Sequence, residues 1–159
     1  MTAERAGALL RQLGWKLATA ESLTGGLLGA RITAVAGSSD YYLGGVISYA
    51  TAVKHSLLGV GMDVLDRHGA VSEETAAAMA SGVRELFGAD LALSTTGVAG
   101  PATQDGQPVG TLCVGVADSS GVRAFRLAGP AGGREAVRDW AADQALRLLV
   151  ERLEAVGVR

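Results

Sequence analysis

The 159-residue chain is poor in the residues that build metal sites and covalent cross-links: it has one cysteine and two histidines. Cys113 alone excludes an intramolecular disulfide, and one Cys with two His cannot fill a structural zinc site. His55 and His68 stand thirteen positions apart, without metal-ligand spacing, and read as exposed helix residues; Cys113 reads as a small core residue of a strand. No Asp or Glu pair clusters around a glycine-rich loop in the way a carboxylate site for Mg²⁺ needs. Neither metal nor cofactor is therefore expected. A dominant charge is missing too: 14 Lys and Arg against 16 Asp and Glu leave a net −2. The basic residues are scattered, with Arg134 and Arg138 the nearest to a pair on one helix face, so nucleic acid is not an expected partner. No apolar run approaches the roughly 18 residues of a membrane span. Met1–Arg5 carries charges of both signs with no apolar stretch after it, so neither a signal peptide nor a membrane is expected and the cytoplasm is the expected compartment. Internal repeats and low-complexity segments are absent.

What remains is globular. Hydrophobic residues make up 48% of the chain and charged residues 19%, and the length suits one domain, 1–159, around one core. Glycine is in excess, 23 residues, about twice its usual share of roughly 7%. The glycines fall in short clusters between periodic segments, where tight loops bring backbone close to something else. Periodicity predicts helices at 2–13, from Leu27 through Ile32, at Ala52–Leu58 with Thr51 as N-cap, and at 62–68. A longer helix, capped by Ser72-Glu73-Glu74-Thr75, runs to Phe87 with Ala76, Met79, Ala80, Val83 and Leu86 on one face. The last helix spans Gly133 to Glu154. Strands are predicted at Trp15–Ala20, Gly44–Tyr49, Asp90–Thr95, Gly110–Ala117 and Val122–Leu127, the last two joined by a hairpin turn at 118–121. Gly37–Asp40 reads as a loop and Tyr41-Tyr42-Leu43 as a short helical turn. Interleaved strands and helices with an antiparallel pair give an α/β fold, a three-layer α/β/α sandwich on a mixed sheet.

Ligands of such sheets bind beyond strand ends, which here means Glu21–Gly26, Tyr49–Lys54 and Thr95–Gly110. Ser22 sits between a strand and a helix start, where a nucleophilic hydroxyl would be exposed; the alternative is that Ser22 or Thr24 only caps the helix at Gly25-Gly26. A Ser-His-Asp hydrolase lacks a well-placed histidine. A neutral lysine also activates serine, and only Lys16 and Lys54 among the 14 cations are lysine; a guanidinium cannot lose its proton in this way. Lys16 reads as solvated, whereas Lys54 lies one turn into a helix, close to a strand end. A dehydrogenase reading of Tyr49 and Lys54 fails on the missing G-x-G-x-x-G loop. Thr95–Pro101 follows a buried strand and offers backbone N–H groups to a phosphate or polar ring, and Arg134 adds a guanidinium for an anion, unless it is simply a solvated first-turn residue.

Taken in order, Ala20-Glu21-Ser22-Leu23-Thr24-Gly25-Gly26, Gly37-Ser38-Ser39, Gly45-Val46-Ile47-Ser48-Tyr49 with Lys54, Leu58-Gly59-Val60, His68–Glu74, Thr96–Pro101 and Pro108–Thr111 resemble the C-terminal domain of the competence/damage-inducible CinA family, the PncC-type nicotinamide-nucleotide amidases. The resemblance spans nearly the whole chain. It implies metal-independent hydrolysis of nicotinamide mononucleotide to nicotinate mononucleotide and ammonia, in pyridine-nucleotide salvage, by a homodimer. It places Ser22, Tyr49 and Lys54 in the catalytic positions, with an oxyanion held by backbone around Thr24, Gly25 and Gly26. Thr96, the Gly97–Gly100 loop and Arg134 would contact the ribose phosphate. The sequence departs from the family pattern at Ala102-Thr103-Gln104-Asp105-Gly106, in place of a glycine-rich run, and at Gly132-Gly133-Arg134, in place of Gly-Asp-Arg; both bear on substrate affinity. The nucleotide-pyrophosphatase domain of longer family members is not among these motifs, so its activity is not expected here. The reading from another class is a non-catalytic regulatory module with the same pocket, linked to competence or DNA damage. Tyr41-Tyr42-Leu43 is either a dimer contact or core.

Overall fold

A computed structural model describes residues 1–157. Helix α1 (Thr2–Leu13) leads into β1 (Leu17–Glu21), then α2 (Leu27–Thr33), a 3₁₀ turn at Ser38–Asp40, and β2 (Tyr42–Ile47). Helices α3 (Thr51–Leu58), α4 (Met62–His68) and α5 (Glu73–Phe87) follow, then β3 (Leu91–Gly97), the hairpin β4 (Thr111–Asp118) and β5 (Gly121–Ala128), and α6 (Arg134–Gly157). The sheet order is β2-β1-β3-β4-β5. β1 pairs in parallel with both β2 and β3, and the other pairs are antiparallel. This is the mixed sheet the pattern predicts. One core lies against α1, α2 and α6, built on Leu10, Leu28, Leu93, Leu112 and Leu149; a smaller one lies towards α3, α4 and α5, on Val60, Met79, Val83 and Ala92. Among the described residues no helix is long and apolar enough to cross a membrane.

Three local expectations need correction. The helical turn occupies Ser38–Asp40 rather than Tyr41–Leu43, because Tyr42 and Leu43 open β2. Along β2 half-buried and exposed residues alternate without a break, but Gly44 and Gly45 at its centre give the sequence no apolar–polar contrast to show it. Tyr41 is buried in the core and Leu43 is exposed. Ala50, not Thr51, is the N-cap of α3, without a side-chain cap. On α5, Ala76, Met79, Ala80 and Val83 are buried as predicted, but Leu86 is exposed at the end of the helix. Ser72 does cap α5, accepting the Thr75 N–H at 3.0 Å.

Helix α5 sets the spacing of the layer that carries α3. Ser94 Oγ donates to Ala76 O at 2.6 Å and accepts the Gly115 N–H at 3.1 Å, tying helix to sheet. A Cβ on Gly82 would come within 1.9 Å of Leu58 O, so the backbones of α3 and α5 touch where only glycine leaves room. In a free helix Gly82→Ala would gain about 1 kcal/mol from propensity. Here overpacking against backbone outweighs that gain, and the substitution should lower stability by about 2 kcal/mol in urea unfolding; a stabilised variant would contradict this packing.

Candidate active site

The C-terminal ends of the parallel strands β1, β2 and β3 meet at one edge of the molecule, where strand order switches direction about β1. Chain leaving β1 makes a tight turn, Ser22–Gly26, into α2. Neither Ser22 nor Thr24 caps that helix. Glu21 does: its carboxylate, buried at the end of β1, accepts the N–H groups of Gly26, Leu28 and Gly29 at 3.1, 2.9 and 3.1 Å. An anion there meets the positive end of the helix dipole and satisfies three of its free donors. Ser22 is thereby spared for other work. Its N–H is anchored to Thr95 O at 3.0 Å.

Lys54 arrives from the other side. It is 1% exposed, and its Nζ donates to Ser22 Oγ at 2.9 Å, Ser48 O at 2.7 Å and Tyr49 O at 3.3 Å. No carboxylate pairs with it among the described residues. Burial without a counter-charge penalises the ammonium form and lowers the lysine pKa from 10.5 to about 8. Near neutral pH a fraction of about a tenth of the side chain is the free amine, which can take a proton from the serine it touches.

The Tyr49 side chain points away from the Ser22–Lys54 contact. It is 59% exposed, and its hydroxyl accepts from Arg134 Nη2 at 2.9 Å, with no hydrogen bond to Ser22 or Lys54. Arg134 Nη1 also donates to Gly100 O at 2.6 Å, so this guanidinium joins the β2–α3 loop, the β3–β4 loop and the start of α6. These groups rim a cavity of about 320 Å³ lined by Ser22, Leu23, Tyr49, Thr96, the 97–104 segment and Arg134, within the range of small-molecule sites.

The remaining predicted contacts divide. Thr96, Gly97 and Gly100 line the cavity. The Thr96 hydroxyl hydrogen goes to Ala70 O at 2.7 Å, so its oxygen can accept from a ligand but not donate to a phosphate. The Ala99 and Gly100 N–H groups have no protein acceptor among the described residues. Thr24, Gly25 and Gly26 do not line the cavity. Thr24 Oγ1 bonds Thr95 Oγ1 at 2.8 Å, the Gly25 N–H closes the turn onto Ser22 O at 3.0 Å, and the Gly26 N–H is held by Glu21. The two glycine amides are thus engaged, and the free N–H groups of this turn are those of Leu23 and Thr24.

Glu21 and Arg138 are the structural residues that sequence patterning did not single out. Glu21 reaches its helix from five to eight positions upstream, outside the capping-box spacing. Arg138 grips the Leu23 and Thr24 carbonyls from more than a hundred positions away. The departing segment Ala102-Thr103-Gln104 forms cavity wall, and Asp105 beside it accepts the Ala70 N–H at 3.2 Å. Among the described residues no three His, Cys, Asp or Glu side chains group to hold a metal ion.

Comparison with known proteins gives a consistent answer. Residues 1–153 match the family described as the CinA C-terminal domain. A CinA-like protein of Frankia casuarinae is 51% identical over 143 residues, covering 89% of this chain and 32% of that protein. A CinA-like protein of Synechocystis sp. is 49% identical over 153 residues, covering 94% and 36%. The chain therefore spans about a third of the length of these curated relatives. Among solved structures, a CinA superfamily protein of Klebsiella pneumoniae is 35% identical with a TM-score of 0.92, covering 98% of this chain and 99% of that one. A competence/damage inducible protein of Agrobacterium tumefaciens is 34% identical with a TM-score of 0.91, covering 96% and 93%.

The buried amine has a signature in stability. Folded Lys54 releases its proton near pH 8, whereas the unfolded side chain keeps it to about 10.5. Between these values the unfolded chain binds more protons, so stability rises with pH, and below about pH 8 the cost of the buried charge is present in full. Urea unfolding at pH 7 and pH 10 should show wild type gaining about 2 to 3 kcal/mol relative to Lys54→Met. Parallel profiles would contradict an amine of lowered basicity.

Proposed function

The chain belongs to the CinA C-terminal domain family, and from that premise we propose that it is a serine–lysine amidohydrolase that converts nicotinamide mononucleotide to nicotinate mononucleotide and ammonia. The observation that carries this reading is the Lys54 Nζ placed 2.9 Å from Ser22 Oγ, buried and without an acid partner. A lysine kept for stability would have a carboxylate or reach water. A lysine kept as a base needs its charge made expensive, as it is here.

In the first step Ser22 Oγ attacks the carboxamide carbon. The new Oγ–C bond forms as the C=O π pair moves to oxygen and the serine proton passes directly to neutral Lys54 Nζ. Collapse of the tetrahedral intermediate breaks the C–N bond, and the Lys54 ammonium returns that proton to the departing nitrogen, releasing ammonia. Water then attacks the nicotinoyl ester, giving its proton to Lys54. The ester C–O bond breaks, Ser22 regains a proton from Lys54 and the carboxylate leaves. The Leu23 N–H, on a residue that lines the cavity, rather than those of Gly25 and Gly26, is the free donor beside Ser22 for the oxyanion. Tyr49 and Arg134 serve the substrate at the cavity mouth, and Arg134 with the Ala99 and Gly100 N–H groups supplies the donors that a ribose phosphate requires. Thr96 accepts from the ligand.

Ammonia release from nicotinamide mononucleotide, without added metal, tests the proposal. Wild type should turn over with kcat/KM rising with pH to a plateau, through a midpoint near 8 set by Lys54. Ser22→Ala and Lys54→Met should each lose at least about a thousandfold in kcat while folding unchanged. No release by a folded wild type that binds the nucleotide would leave a binding module in place of the enzyme.

A further inference from the structure

Strand β3 runs past the end of β1. Glu21, the last residue of β1, lies opposite Thr95, and Ser22 then donates its N–H to Thr95 O at 3.0 Å. On the other edge of β3, Gly97 lies opposite Leu112 and the next residue, Val98, donates its N–H to Thr111 O at 2.9 Å. Backbone groups of successive strand residues point to opposite edges of the strand. Those of Thr95 face β1 and those of Val98 face β4, so the N–H of Gly97 faces the β1 side. In a continued parallel pair it would take the Ser22 carbonyl. That carbonyl is turned into the Ser22–Gly26 turn and accepts the Gly25 N–H at 3.0 Å instead. The Gly97 N–H is thus left aimed at the Ser22 end of β1, with no protein acceptor among the described residues.

Gly97 lines the cavity together with Ser22 and Leu23. A Cβ on it would overlap Thr111 O and stand 3.0 Å from Leu23 Cδ1, so the position takes only glycine, whose bare backbone a ligand can approach closely. The second of those contacts sets Gly97 against the residue whose own N–H is the free donor beside the nucleophile. One donor therefore follows Ser22 in the chain, and the other stands across the gap on β3. We infer that the Gly97 N–H is the second oxyanion donor, closing with the Leu23 N–H the hole that receives the carboxamide oxygen when Ser22 attacks. The sheet fixes this donor before substrate arrives, so it needs no reorganisation as charge develops on the oxygen. The inference rests on the serine–lysine reading above.

Because the donor is a backbone group, the experiment follows its proton. Pyridine-3-sulfonyl fluoride labels Ser22 as the Oγ–S bond forms, the S–F bond breaks, fluoride leaves and the serine proton passes to Lys54. A sulfonyl oxygen then takes the oxyanion's place, and Ser22→Ala serves as the unlabelled control by mass. In ¹H–¹⁵N spectra of the wild-type adduct the Gly97 amide proton should move downfield, and by more than those of Gly25 and Gly26, which are already engaged. A second measurement removes the donor alone. In a synthetic chain with glycolic acid in place of Gly97, an ester oxygen replaces the N–H without adding a side chain. Ammonia release from nicotinamide mononucleotide should then lose about a hundredfold in kcat, the usual cost of one oxyanion donor. KM should stay within about twofold, because the interaction is made only in the transition state. An adduct whose Gly97 signal stays in place, or a folded ester variant with wild-type kcat, would overturn the inference while leaving Ser22 and Lys54 in their roles. If the ester variant fails to fold, the wild-type spectrum decides. Labelling without ammonia release would remove the amidase reading and leave the Gly97 test in force. A wild type that neither releases ammonia nor takes the label at Ser22 would overturn the serine–lysine reading, and this inference with it.

Discussion

The site depends on an ammonium group being taken out of water and given no negative partner. A lysine in that position would ordinarily be destabilising enough to be lost, because its hydration is replaced by only three oxygen acceptors: the Ser22 hydroxyl and the carbonyls of Ser48 and Tyr49. Those acceptors stabilise the protonated form incompletely, and the amine responds by giving up its proton more readily. The fold pays for this elsewhere. Two packed cores and the close approach of α5 to α3 at Gly82 hold the Lys54 helix where it cannot relax towards solvent.

The opposite side of the Ser22–Lys54 contact is organised by a division of labour among neighbours in sequence. Glu21 satisfies the start of α2, so that Ser22, one position later, need not. Had Ser22 capped the helix, its oxygen would be turned to backbone N–H groups and its lone pairs engaged. With the carboxylate in that role, the serine oxygen faces Lys54. Arg138 completes the arrangement from α6 by gripping the two carbonyls that follow. A carboxylate on the amides and a guanidinium on the carbonyls thus hold one short turn from both ends.

How much of this could be read in advance varies with the range of the interaction. The core faces of α1 and, except for Leu86, α5, the Ser72 cap and the buried strands β3 and β4 follow from local periodicity and are present as the pattern implied. The start of β2 does not, because the paired glycines Gly44 and Gly45 leave its alternation of half-buried and exposed positions without hydrophobic contrast. At the site, the scarcity of lysine pointed to Lys54, whereas the strand–turn–helix context left Ser22 open between nucleophile and helix cap until the motif resemblance favoured the first. Their contact joins residues 32 positions apart and is a property of the parallel β1–β2 pair, not of any spacing. The orientation of Tyr49 towards Arg134 and the engagement of the Gly25 and Gly26 amides were invisible for the same reason. Each is decided by which side chain reaches a backbone group first, and that competition is tertiary. Motif resemblance located the residues; only geometry separates the buried Ser22–Lys54 contact from the groups around the cavity mouth.

The central claim is that the Lys54 amine is basic enough to accept the serine proton and acidic enough to be neutral in use. Because the chain has two lysines, ¹³Cε-lysine labelling yields a spectrum of two side-chain signals, assigned by the one that disappears in Lys54→Met. Titration of that signal should give a midpoint near 8. A midpoint at the ordinary lysine value of 10.5 would mean that the amine stays charged at neutral pH, and would contradict the account.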